Sequence, residues 1–135
     1  MQQRKIVVKE MITIKKEFIK FCCVGVANTL THVFIAYICV KLLLLDIFVA
    51  NTFAFLLSFL IAYSLNTTWS FSKKPSLVTL KKYAMYALLN CLIIYVITAA
   101  CQKFLIPDEI SIILIAATMP WISYIVLKYW VYENA

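Results

Sequence analysis

Four long runs without a charged side chain dominate this sequence: Phe21 to Val40, Ile47 to Leu65, Tyr83 to Gln102 and Ile110 to Leu127. A hydrocarbon layer about 30 Å thick takes roughly 20 helical residues at about 1.5 Å each, so each run is long enough to cross a bilayer once. Transmembrane strands alternate apolar and polar residues over roughly half that length. These runs are continuously apolar, which leaves helices. The single Gly and three Pro residues agree, because a loop-rich fold would need more of both. A water-soluble fold is excluded by composition: 64% of residues are hydrophobic, only 14% are charged, and mean hydropathy is +0.93. A chain this short has too little polar surface to cover such a core.

The runs are separated by Lys41 to Asp46, Asn66 to Lys82 and Lys103 to Glu109, giving two tight hairpins joined by a longer polar loop. Eleven of the 13 basic residues precede the first run, lie in the middle loop or follow the last run, while the hairpin loops carry only Lys41 and Lys103. Basic residues next to spans resist translocation. The expected topology therefore puts both termini and the middle loop in the cytoplasm. Residues 1–20 form a basic cytoplasmic segment and residues 21–135 a four-helix transmembrane domain. In the first segment Val7, Met11, Ile14 and Phe18 recur at helical spacing among lysines. That pattern reads as an amphipathic helix on an anionic leaflet or as a solvated positive tail that only sets topology. No cleavage site follows the first run, so that span is expected to remain.

The net charge of +7 raises nucleic acid as a partner. The cations sit beside spans and lack an aromatic or glycine-rich RNA-binding pattern, so the bilayer is the expected partner and nucleic acid is not. Cys22, Cys23, Cys39, Cys91 and Cys101 fall within apolar runs without metal-ligand spacing and read as small buried hydrophobes. No metal or other cofactor is expected. No nucleophile and base pair or paired-carboxylate motif is visible, so the chain is not expected to be an enzyme. No Asp or Glu lies inside a run, which argues against proton-coupled export through a buried carboxylate.

Sliding the chain against itself by 62 positions brings Phe21 onto Tyr83, Asn28 onto Asn90, Lys41 onto Lys103 and Asp46 onto Asp108. A later one-residue deletion brings Trp69 onto Trp130 and Phe71 onto Tyr132. The hairpins read as a duplication. Each half enters and leaves on one side, so the halves are expected to be parallel repeats about an axis along the membrane normal.

Lys20-Phe21, Val24-Gly25-Val26-Ala27-Asn28-Thr29-Leu30 and His32, then Ala50 to Phe55, Asn66-Thr67-Thr68-Trp69-Ser70-Phe71 and the closing Lys128 to Tyr132, resemble the GtrA-like family. These are small four-span proteins of bacterial surface-polysaccharide glycosylation. The family often has a basic residue where this chain has Thr67 and Thr68, and the second ending has Leu127 where the first has Asn66. The resemblance implies flipping of a polyprenyl-phosphate-linked monosaccharide across the bacterial cytoplasmic membrane, for a polymer such as O-antigen or teichoic acid. It also implies a polyprenyl-phosphate glycosyltransferase and a multi-span glycosyltransferase as partners. The alternative is a non-transporting subunit that anchors or stabilises a glycosyltransferase.

A phosphate and a sugar cannot cross hydrocarbon without polar compensation. Asn28 and His32 share one face of the first span, with Gly25 a turn earlier leaving room for close approach. They are candidates for substrate contact or for interhelical hydrogen bonding. Asn90 is the repeat of Asn28, while Asn51, Ser58, Thr98, Thr118 and Ser123 scatter further polar groups. Asn66, with Trp69 and Phe71, marks a substrate-facing position or a helix end at the aromatic belt. Lys41 and Lys103 flank the hairpin tips, to receive a phosphate or to snorkel. Met119-Pro120-Trp121 is expected to bend or break the fourth helix. Four short spans barely enclose a sugar-phosphate path, so a homodimer is expected. The charge distribution predicts that a reporter fused at Asn134 reads as cytoplasmic, and periplasmic activity at that position would overturn the topology.

Overall fold

Inside hydrocarbon the backbone has no water to bond to, so each apolar run must satisfy its own amides and carbonyls by closing into helix. The computed structural model describes residues 2–134 and contains helices and turns, with no strand among the described residues. Helix α1 is Gln2–Lys41, α2 is Ile47–Leu65, α3 is Leu77–Lys103 and α4 is Asp108–Val126. Helices α2 and α4 each run on into a π-helical turn, Asn66–Ser70 and Leu127–Val131. The lengths long and apolar enough to span are Ile6–Lys41, Ile47–Ser70, Leu77–Lys103 and Glu109–Val131. The chain divides into two compact units, Met1–Lys74 and Pro75–Ala135, each a helical hairpin with a tip and an open base.

The basic segment is not a separate amphipathic helix. It is the start of α1, whose 40 residues form one helix of about 60 Å, twice the hydrocarbon thickness. Ile6, Val8, Ile12 and Ile19 expose apolar surface outside the stripe of Val7, Met11, Ile14 and Phe18. The helix is therefore long and apolar without a clean polar face. Nothing between Lys20 and Phe21 stops it, because neither Gly nor Pro occurs before Gly25.

In the first unit, α2 turns a row of small residues inward at every fourth position: Ala50, Ala54, Ser58 and Ala62, all buried. Small side chains let two backbones approach, and dispersion then replaces the hydrophobic drive that lipid cannot provide. The corresponding row of α4 is bulkier, with Ser111, Ile115, Met119 and Ser123, and its packing on α3 is less extensive than that of α2 on α1. Gly25 does not provide the close approach. It is exposed, and a Cβ built there would meet nothing within 4 Å.

Both tips turn through a leucine in the left-handed region, Leu44 at φ 52° and Leu105 at φ 55°. An L-residue there costs about 1–2 kcal/mol, and this chain has almost no glycine to avoid it. Leu45 N–H closes the first tip on Cys39 carbonyl at 3.0 Å, and Ile106 N–H closes the second on Cys101 carbonyl at 2.9 Å. The buried pair Cys39 and Cys101 keeps the 62-residue offset, while Leu44 and Leu105 differ by 61. The extra residue therefore lies in the first tip. Asp46 corresponds to Pro107, the residue that likewise precedes its helix, and not to Asp108. Asp46 caps α2 by accepting Phe48 N–H at 2.8 Å, while the side chain of Asp108 lies outside the described part of the structure.

Helix α4 passes through Pro120 unbroken. Helix α3 starts in a reciprocal cap, in which Ser76 Oγ accepts Thr79 N–H at 3.1 Å and Thr79 Oγ1 accepts Ser76 N–H at 3.0 Å. Such a cap satisfies two amides that the first turn leaves without partners. Ser76→Ala should destabilise the chain by about 1 kcal/mol, read as a lower unfolding midpoint in mild detergent.

Candidate functional site

The polar side chains of the spans divide by whether their own helix satisfies them. Hydroxyls and amides one turn beyond a carbonyl can bond back to it. Thr29 does so to Gly25 at 3.1 Å, Asn51 to Ile47 at 3.0 Å, Thr52 to Phe48 at 2.8 Å and Thr118 to Leu114 at 2.7 Å. Ser58 donates to Phe55 carbonyl at 3.1 Å. Asn51, Ser58 and Thr118 thus have local partners, and Thr98 is half-buried on α3.

At mid-span the repeats diverge. Asn90 of α3 donates from Nδ2 to Ser123 Oγ of α4 at 3.2 Å, and that hydroxyl lies 3.4 Å from Asn90 Oδ1. This amide ties two helices together. Asn28 of α1 is half-buried, and its Oδ1 is shielded from solvent with no hydrogen-bond partner. At the offset of 61 set by the tips, the place of Ser123 in the first unit is held by Ala62, which is buried and has nothing to donate. His32 is half-buried one turn beyond Asn28.

At the base of each hairpin the structure shows a device to which the sequence reading gave no role. Lys20 reaches from α1 to donate to Trp69 carbonyl at 3.1 Å, with its ammonium 5.6 Å from the centre of the Trp69 ring. Lys82 makes the equivalent bond from α3 to Trp130 carbonyl at 3.2 Å. A helix end leaves carbonyls without amide partners, and a cation there meets both the free acceptors and the negative end of the helix dipole. Phe21 and Phe71 meet beneath the first clamp, with ring centres 6.5 Å apart, and Tyr83 and Tyr132 are buried at the matching positions. The signal was available: Lys20 and Lys82 align at the offset of 62, but a lysine beside a span also reads as a topology charge.

Asn66 is buried in the first π-helical turn, where its Oδ1 accepts the Ser70 hydroxyl at 3.2 Å. Its counterparts in the second turn, Leu127 and Val131, are buried and apolar. Lys41 and Lys103 are exposed and end α1 and α3 at the tips. Within each unit, the residues proposed from sequence therefore lie at different levels. In the first unit Asn66 is at the base, Asn28 and His32 are at mid-span about 12 and 18 Å of helix beyond Lys20, and Lys41 is about 20 Å beyond Asn28. In the second, Asn90 is at mid-span and Lys103 at the tip.

Four apolar helices whose exposed hydroxyls and amides mostly bond back to their own backbone define a multi-pass helical membrane protein. Residues 20–132 match the family described as GtrA/DPMS, transmembrane domain, and the chain belongs to it. It is accordingly a membrane protein of polyprenyl-phosphate-sugar glycosylation. The match begins at Lys20 and ends at Tyr132, so it includes both lysine clamps. No curated protein and no solved structure matches the chain.

Lys20→Met and Lys82→Met should each lower the thermal unfolding midpoint in detergent, by about 0.5–1 kcal/mol. The matching Lys→Arg changes should retain most of that stability, and two methionine variants melting like wild type would remove the clamp.

Proposed function

We propose that this chain translocates a polyprenyl-phosphate-linked monosaccharide from the inner to the outer leaflet of the bacterial cytoplasmic membrane, for glycosylation of a cell-surface polysaccharide. The observation that carries this reading is Asn28, whose carbonyl oxygen is held in an apolar span without a partner. Burying an amide unsatisfied costs about 1–3 kcal/mol. A chain that satisfies its other mid-span amides locally, or with Ser123, has reason to leave one open if a ligand supplies the missing donor. Membership of a family of polyprenyl-phosphate-sugar glycosylation supports a ligand in which such donors are plentiful, a sugar on a polyprenyl phosphate.

On this reading the chain carries out no covalent step. The donor is made by a polyprenyl-phosphate glycosyltransferase on the inner face and consumed by a multi-span glycosyltransferase on the outer face. No carboxylate lies within the four apolar runs to relay protons, so flipping follows the donor's own gradient. Two copies of the chain would enclose the path.

A second reading has its own observation. Helix α1 exceeds the hydrocarbon thickness by about 30 Å, and its first half carries Arg4, Lys9, Lys15 and Lys16 on an exposed surface. Such a projection suits a subunit that anchors a glycosyltransferase and moves nothing itself.

Reconstitution separates the two readings. Vesicles containing the chain and a labelled polyprenyl-phosphate hexose should transfer label between leaflets faster than protein-free vesicles. Transfer at the protein-free rate, with a glycosyltransferase still co-purifying, would establish the subunit instead.

A further inference from the structure

The two hairpins carry an asparagine at the same place and treat it differently. Asn90 is answered by Ser123, at 3.2 and 3.4 Å, and the Tyr86 hydroxyl of its own helix bonds to both, where the first hairpin has the buried Val24. Asn28 has Ala62 in the place of that serine, and its Oδ1 is buried without a partner. The tight row Ala50, Ala54, Ser58 and Ala62 keeps any larger side chain of α2 from filling the need. Thr29, the nearest hydroxyl along α1, is committed to Gly25 carbonyl at 3.1 Å.

We infer that Asn28 Oδ1 is the acceptor for a hydroxyl of the lipid-linked sugar, and that Asn90 is a packing residue with no ligand. This rests on the reading of the chain as one that handles a polyprenyl-phosphate-linked sugar. The chemistry selects which part of that ligand is recognised. A carbonyl oxygen only accepts hydrogen bonds. An ionised phosphodiester also only accepts, and a polyprenyl chain does neither. The sugar hydroxyls are the one portion of the ligand that can donate. Asn28 as a whole is half-buried, and the broad amide torsion is the motion by which its oxygen would meet the hydroxyl. In a low-dielectric span an unmet acceptor is costly, and the hydroxyl that answers it gains correspondingly.

The repeat also provides the substitution that silences the site. Ala62→Ser installs in the first hairpin the hydroxyl that the second already has, so Asn28 becomes satisfied internally and loses its claim on a ligand. Ser123→Ala performs the reverse change on Asn90.

The test is binding in nanodiscs, which needs no transport. The probes are polyprenyl phosphates carrying a hexose, an N-acetylhexosamine or a pentose, with bare polyprenyl phosphate as reference. Wild type should hold at least one sugar-bearing lipid about tenfold more tightly than the bare lipid, the value of one well-placed hydrogen bond. Asn28→Ala and Ala62→Ser should erase that preference while leaving affinity for bare polyprenyl phosphate unchanged. Ser123→Ala should keep the preference and melt at a lower temperature. Equal affinity of wild type for every lipid overturns the inference, as does an Asn28→Ala or Ala62→Ser chain that keeps the preference. If Asn28→Ala does not fold, Ala62→Ser decides alone, since it leaves the amide in place. A wild-type chain with the preference but no leaflet transfer removes the translocator reading and leaves this one standing. Transfer without the preference does the opposite.

Discussion

Hydrocarbon offers no hydrogen bonds, and nearly every feature of this chain follows from that. The backbone closes into four helices because no other local structure satisfies its amides there. Hydroxyls along the spans turn back on their own helices for the same reason. Where a helix ends and its last carbonyls have no amide, a lysine from the neighbouring helix supplies the donor, once in each hairpin. Polar groups in such a medium are either answered or conspicuous. Among the described residues, Asn28 is the conspicuous one.

Duplication makes the comparison possible. The two hairpins share their lysine clamps, their π-helical turns, their left-handed leucine tips and their mid-span asparagines. What differs is chemistry around those asparagines: α3 has Tyr86, bonded to Asn90 and Ser123, where α1 has Val24, and the facing helices differ too. The first hairpin has Ala62, Asn66 and Ser70 where the second has Ser123, Leu127 and Val131, all of them buried. One half therefore has an open acceptor above a polar base, and the other a closed amide pair above an apolar base. On the proposed reading, the duplicated scaffold is divided between a hairpin that meets a ligand and one that holds together.

Several features were legible without coordinates because they depend on composition along a line. Charge-free runs announce spans, and an offset that aligns Asn with Asn and Trp with Trp announces a repeat, whatever the helices pack against. Other readings failed because they depend on what lies opposite. Gly25 read as a point of close approach, yet the small residues that draw the helices together are on α2. The basic segment read as a separate amphipathic helix or as a solvated tail, yet it is the start of α1, because no residue between it and the first span interrupts the hydrogen-bond ladder. The repeat register read through Asp46 and Asp108, yet the extra residue sits in the first tip, where only backbone geometry shows it.

The sequence by itself determined the solvent, the secondary structure and the duplication, because each is a property of residues in order and of their affinity for water or lipid. It nominated Asn28 and His32 as the clearest polar stripe, with Asn66, Asn90, Lys41 and Lys103 as further candidates. Only the tertiary structure decided how each is placed: Asn66 is answered by Ser70 and Asn90 by Ser123, Lys41 and Lys103 stand exposed at the tips, and Asn28 Oδ1 is buried with no partner. A hydrogen bond between helices joins residues dozens of positions apart, and its presence or absence is decided by which side chain the facing helix presents.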